Sequence, residues 1–139
     1  MKLMVAGGGP MSESLKMKYG SSANVEFLGM IHGDAVGELL AGARFSVLPS
    51  EWYENNPMGV IESLCAGTPV LGAAIGGIPE LIDDESGMTF ESGDKQSLQD
   101  AVRAMWDKEF DRPAIQSRSI VAFSPDAYYS RLMDIYGRV

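Results

Sequence analysis

Apolar residues in this chain fall in short runs separated by helix-length amphipathic stretches. Leu3 to Ala6 reads as a buried strand and ends at Gly7, Gly8 and Gly9. Pro10 suits the first turn of a helix running to about Tyr19, with Gly20 just past its end. Val25 to Leu28 is a second strand, closed by Gly29, and Asp34 caps a helix reaching about Gly42. Phe45 to Leu48 is a third strand and stops at Pro49 and Ser50. Pro57 opens the next helix with Asn56 as its N-cap, and Gly67 ends it. Pro69 to Leu71 is a fourth strand. Gly76, Gly77 and Pro79 lead into a short helix through Ile82, and Met88 to Phe90 is a fifth strand. Helices at about Lys95 to Asp107 and Pro125 to Gly137 finish the chain. In the last, Tyr128, Leu132, Ile135 and Tyr136 share a face, with Ser124 as cap.

Short strands alternating with helices predict an α/β chain. The expected form is a Rossmann-like, three-layer parallel sheet of about five strands with helices on both faces. Ligands of such sheets bind beyond the carboxyl ends of the strands. All the glycine-rich and polar turns fall at those ends. A length of 139 residues suits one domain with a real core. No apolar run approaches the roughly 20 residues of a spanning helix. The start, MKLMVAGGG, is too short in apolar residues and too rich in glycine to read as a signal peptide.

Charge narrows the partners. The formal net charge is −8, and the 11 Lys and Arg are scattered. Nucleic-acid binding needs a basic face, so that class is set aside, and a grip on anionic lipid is disfavoured. The same acidity raises the question of which cation would neutralise a bound phosphate. Cys65 is the single cysteine, so no internal disulfide forms, and a reducing cytosol is the expected location.

The segment from Pro49 to Gly67 carries the most chemistry. Seven residues separate Glu54 from Glu62 in ENNPMGVIE, and the loop-to-helix junction lies between them. A helix start exposes unpaired N–H groups and a positive dipole end, which suit phosphate. Gly59 lets a ligand approach the backbone. Glu62, one turn in, can accept hydrogen bonds from a ribose diol, and Glu54 can reach a sugar hydroxyl or a positive anomeric carbon. On spacing alone a second reading stays open, in which Glu62 serves its own helix dipole and Glu54 is merely solvated. Gly76-Gly77 before Ile78-Pro79-Glu80 is either a close-approach turn for a diphosphate or a strand-to-helix turn needing positive φ.

Other features are weaker. Gly7-Gly8-Gly9 fails the G-x-G-x-x-G spacing at Ser12, which favours a structural turn. His32 is the single histidine and lacks partners at ligand spacing, so no metal site is expected. Trp52 and Tyr53 either stack on a ligand or pack under the loop. Asp83-Asp84-Glu85-Ser86-Gly87 reads as a solvated acidic turn.

Taken together, PSEWYENNPMGVIESLCAGTPVLGAAIGGIPELI followed by DDESGMTF resembles the donor-binding half of a retaining glycosyltransferase of family 4, with the GT-B fold. The shared pattern is a Pro-Ser strand end, a Glu-x7-Glu pair, a Gly-x-Pro-Val strand, a Gly-Gly-x-Pro-Glu turn, an acidic turn and a Gly-led strand. LMVAGGGP, NVEFLG and the Phe123 to Tyr136 helix extend it over nearly the whole chain.

The resemblance implies roles. Glu54 would contact the donor sugar and stabilise an oxocarbenium-like transition state. Glu62 would hold the ribose hydroxyls. Backbone N–H groups near Met58, Gly59 and Val60 would meet the diphosphate, and the turn through Gly29 and Met30 would lie by the nucleobase. With Asn56 and Gly8 these make the candidate donor contacts. No metal is required in the family. The full enzyme would move a hexose from a nucleoside-diphosphate sugar to a saccharide or lipid-linked acceptor in polysaccharide biosynthesis. It would work in the cytoplasm, at the inner membrane face if membrane-associated.

Family members carry an N-terminal acceptor domain and, before the position of Leu3, a further strand–helix unit. That unit bears an Arg and a Lys that neutralise the diphosphate. This sequence has neither part, so it reads as a truncated C-terminal domain, and the Leu3 and Phe45 strands are expected to pair directly in the order 2-1-3-4-5. The rival readings are a flavodoxin-like nucleotide- or phosphate-binding module and an interaction domain with a degenerate site. An NDP-sugar epimerase is disfavoured, since no Tyr is followed by Lys four residues on.

Overall fold

A computed structural model of the chain describes residues 1–138. It divides into two compact units, Met1–Val36 and a second beginning at Gly37. The first holds β1 (Leu3–Ala6), α1 (Ser12–Tyr19) and β2 (Val25–Gly29). Helix α2 (Asp34–Gly42) carries the chain across the division. The second unit holds β3 (Ser46–Leu48), α3 (Met58–Cys65), β4 (Val70–Ala73), α4 (Ile78–Leu81), β5 (Gly87–Phe90), α5 (Lys95–Asp107), α6 (Arg112–Ala122) and α7 (Pro125–Tyr136).

All strand pairs are parallel, as the alternation of strands and helices requires, and each pair is joined by a crossover helix. β4 is central in the second unit, between β3 and β5, and all four of its residues are buried. Its side chains alternate between two cores, as strand geometry dictates. Val70 joins Val60, Leu64 and Ile115, so one face carries α3 and α6. Leu71 and Ala73 join Phe90 and Met105, so the other carries α5. This is the predicted three-layer arrangement. Helix starts follow local chemistry: Asp94 caps α5 by accepting from the N–H groups of Gln96 and Ser97, and Ser124 caps α7 through that of Ala127. Among the described residues, no helix is long and apolar enough to cross a membrane.

Several expectations are corrected. Among the described residues the Leu3 and Phe45 strands do not pair: β1 bonds to β2 in one sheet, and β3 bonds to β4 in another. Nor is β1 a buried strand, for Leu3 and Met4 stay largely exposed. An apolar run is fully covered only between two layers, and its unit offers a two-stranded ladder and one complete helix.

Helix α6 was not foreseen. Its signal was Asp111, whose carboxylate accepts from the Ala114 N–H, with a proline in the first turn. The face proposed for α7 is not a core face: Tyr128, Ile135 and Tyr136 are exposed, and the helix has no buried residue.

Candidate functional site

Most of the predicted site residues of the second unit gather at the mouth of α3. Pro57, not Asn56, is the N-cap: its backbone is extended, at φ −68° and ψ 108°, and no side chain caps the helix. With Pro57 itself at an extended ψ, the first helical residue is Met58, one residue on from the expected start. Val60 and Ile61 donate to the Pro57 carbonyl. The N–H groups of Met58 and Gly59 find no acceptor among the described residues. These are orphan donors at the positive end of a helix, with room beside them, since Met58, Gly59 and Asn56 are exposed and nothing lies within 4 Å of a Cβ built on Gly59. The Val60 N–H, expected among the diphosphate contacts, is engaged by the Pro57 carbonyl at 3.0 Å, and the fully buried Val60 side chain anchors the helix.

Glu62 is exposed on the same helix, and its carboxylate has no hydrogen-bond partner among the described residues, leaving those oxygens open to a diol. Glu54 is half-buried, and its Oε1 accepts from Ser50 Oγ at 3.2 Å. The Ser50 hydroxyl oxygen also accepts from the Trp52 N–H at 3.3 Å, and the Ser50 carbonyl accepts from Ser92 Oγ at 3.1 Å. Ser50 is therefore a positioning residue that sequence reasoning used only as a strand stop. Trp52 and Tyr53 do not pack under this loop; they are 82% and 84% exposed.

The Gly76-Gly77 turn is the strand-to-helix turn with positive φ, between β4 and α4, and it lies close against the chain itself. Gly77 N–H donates to the Glu54 carbonyl at 2.6 Å. Gly76 has φ +57°, and a Cβ there would stand 2.5 Å from the Glu54 oxygen and 2.7 Å from its nitrogen. A Cβ on Gly77 would overlap the Asn55 carbonyl oxygen. The glycine pair thus clamps the backbone that presents Glu54, a function that the sequence showed only as a bare turn.

The acidic turn is likewise built rather than loose. Asp83 accepts from Ser86 Oγ at 2.6 Å, and Arg118 pairs with both Asp83 and Glu85. The Ser86 hydroxyl, with Arg118 beside it, holds the Asp83 carboxyl below its ordinary range, against a smaller opposing effect of burial. Burial alone pushes the Cys65 thiol up.

In the first unit, Gly8, Gly29 and Met30 come together. Gly7 N–H donates to the Gly29 carbonyl at 2.7 Å, and Gly7 and Gly29 both have positive φ. A Cβ on Gly8 would touch the Met30 sulfur at 3.5 Å. These residues line a hollow of about 600 Å³ beyond the carboxyl ends of β1 and β2, floored by Val5 and Phe27, with Lys16 at its wall.

Comparison with known proteins adds to this geometry. The family model described as Glycosyl transferases group 1 matches residues 1–108. An uncharacterised glycosyltransferase of Methanocaldococcus jannaschii is 39% identical over 89 residues, which make up 60% of this chain and 22% of that protein. The N-acetyl-alpha-D-glucosaminyl L-malate synthase of Bacillus anthracis is 30% identical over 150 residues, covering 96% of this chain and 38% of that protein. Among solved structures, Anabaena HepE in complex with UDP-glucose superposes with a TM-score of 0.78 at 17% identity, over 99% of this chain and 41% of that one. The chain therefore spans well under half the length of these relatives.

Proposed function

The chain belongs to the glycosyl transferases group 1 family and has the GT-B type of fold, and from that premise we propose that it is the donor-binding lobe of a retaining enzyme. In this reading the enzyme moves a hexose from a nucleoside-diphosphate sugar to a hydroxyl of a saccharide or lipid-linked acceptor. The observation that carries it is the α3 mouth: two orphan N–H groups flanked by a clamped carboxylate, Glu54, and a free one, Glu62. The N–H groups of Met58 and Gly59 take the diphosphate, where a helix end favours anions. Glu62 accepts from the ribose hydroxyls.

Glu54 stabilises the positive charge that develops on the anomeric carbon as the diphosphate leaves. Such stabilisation depends on a carboxylate fixed in advance, which is what Ser50 and the glycine clamp provide. Gly8, Gly29 and Met30 receive the base. Asn56, exposed just before the mouth, is the remaining donor contact. The scheme assigns no metal to the reaction. We place the work of the full enzyme in the cytoplasm, in polysaccharide assembly. The lobe alone should turn over very slowly, because it cannot orient an acceptor.

Calorimetric titration of the chain with UDP, other nucleoside diphosphates and flavin mononucleotide tests the proposal. Nucleoside diphosphates should bind, and Glu62→Gln should weaken them about tenfold, as expected for losing one charged hydrogen bond. Binding of flavin mononucleotide in preference would instead indicate a flavodoxin-like module. Glu54→Gln in a longer enzyme containing this lobe should lower kcat far more than it changes donor affinity. Unchanged turnover would refute the catalytic role.

A further inference from the structure

We propose a second binding site, at the amino ends of β3 and β4, for a compact dianion of the phosphate or phosphomonoester class. A hollow of about 280 Å³ lies there, lined by Arg44, Lys108 and Arg112 with Glu109, Phe110 and Pro69. Three of the chain's 11 cationic Lys and Arg thus converge on one place in a molecule of net charge −8. Glu109 is the only carboxylate in the lining, and it pairs with Arg44 at 2.9 Å.

The other two charges are not cancelled. Arg112 donates to the carbonyls of Gly67, Ala43 and Ala41 and to Thr68 Oγ1, all neutral. Lys108 Nζ donates to the Asp84 carbonyl at 2.6 Å, also neutral. Neither forms an ion pair among the described residues. Over the lining residues alone the formal charge is +2, three cations against Glu109, which favours an anion.

The cations are also held in place before any ligand arrives. The Arg44 guanidinium lies 5.2 Å from the Trp106 ring centre while its Nε donates to the Trp106 carbonyl. Lys108 Nζ lies 4.9 Å over Phe110. Ordering such long side chains ordinarily opposes binding, and here packing has already done it. Two N–H groups of Lys108 and the Nη1 group of Arg44 remain without partners among the described residues. They suit the oxygens of a phosphate, and Phe110 and Pro69 offer an apolar wall to a small organic body.

The α3 mouth and the glycine clamp lie at the carboxyl ends of the same strands. A ligand in this hollow is therefore distinct from the donor, and its binding does not depend on the proposed reaction.

The experiment is a titration of the ¹⁵N-labelled chain with inorganic phosphate at constant ionic strength, followed by amide shifts, with chloride as control. Saturable shifts are expected around residues 42–44 and 106–112 and at the Trp106 indole. Lys108→Ala should weaken binding about tenfold. Glu109→Gln should tighten it several-fold and is safe for folding, since that side chain is 87% exposed. Equal response to chloride, shifts confined to the amides of Met58 and Gly59, or indifference to both substitutions would overturn the proposal. A parallel arm uses vesicles containing phosphatidylglycerol. Vesicle binding without a phosphate response would assign the charge to a lipid surface and likewise overturn it.

Discussion

Replacing Gly76 by alanine tests whether the Glu54 loop is clamped. Gly76 has φ +57°, where an L side chain costs about 1–2 kcal/mol. Stiffening the unfolded chain returns part of that, about 0.4–1 kcal/mol. The new Cβ would also stand 2.5 Å from the Glu54 oxygen and 2.7 Å from its nitrogen, where ordinary contact begins at 3.4 Å. The loop must retreat by about 1 Å, and such overpacking costs about 1–3 kcal/mol. Retreat also strains the Gly77 to Glu54 hydrogen bond, worth about 1 kcal/mol.

Gly93 supplies the control. Its φ is +78°, and nothing lies within 4 Å of a Cβ built there. Gly93→Ala should therefore lose only about 1 kcal/mol, and Gly76→Ala about 3 kcal/mol more. Urea unfolding followed by circular dichroism measures both. At a slope of about 1–3 kcal/mol per molar, the midpoints should differ by 1 M or more. In the intact enzyme Gly76→Ala should cut turnover by about a hundredfold, since a shift of about 1 Å at a reacting group has that effect. Two variants of equal stability would show that the loop yields freely and that the clamp does not exist.

Ser50→Ala should lower turnover less than Glu54→Gln does, about tenfold, with donor affinity unchanged; an equal loss would make Ser50 more than a positioning group. Arg112→Lys should cost about 2–4 kcal/mol by urea unfolding, because an ammonium cannot serve the three carbonyls and the Thr68 hydroxyl together; a loss under 0.5 kcal/mol would refute that role. The Asp83 carboxyl is depressed in the fold, so its contribution is present above its unfolded value near pH 4 and is lost as pH falls through the lower folded value. Asp83→Asn should accordingly flatten the acid side of the stability profile, modestly because the side chain is 58% exposed; parallel wild-type and variant curves between pH 5 and 2 would contradict this.

The elements legible in the sequence were those whose signals are local. Strand β4 showed itself as a continuous apolar run and α7 by its capping Ser124, and the Pro57 helix start was placed within one residue. The separation of β1 from β3 was not legible, because pairing depends on what covers each strand rather than on the strand's own pattern. At the site, Glu54 and Glu62 stood out through spacing. Ser50 and the glycine clamp did not, because Gly76 touches Glu54 across 22 residues of chain and no period joins them. Helix α6 was hidden by its polar composition, since Ile115 and Ser119 are its only buried residues.

None of residues 1–36 is buried, whereas the second unit encloses two apolar clusters about β4. Amide hydrogens of β1 and β2 should accordingly exchange with solvent through small local openings, long before those of β4. A nucleobase settling on Gly29 and Met30 would then have to quiet that motion as it binds. Part of the donor's interaction energy would go into ordering its own receptor, and the slowing of exchange on adding nucleotide would measure how much.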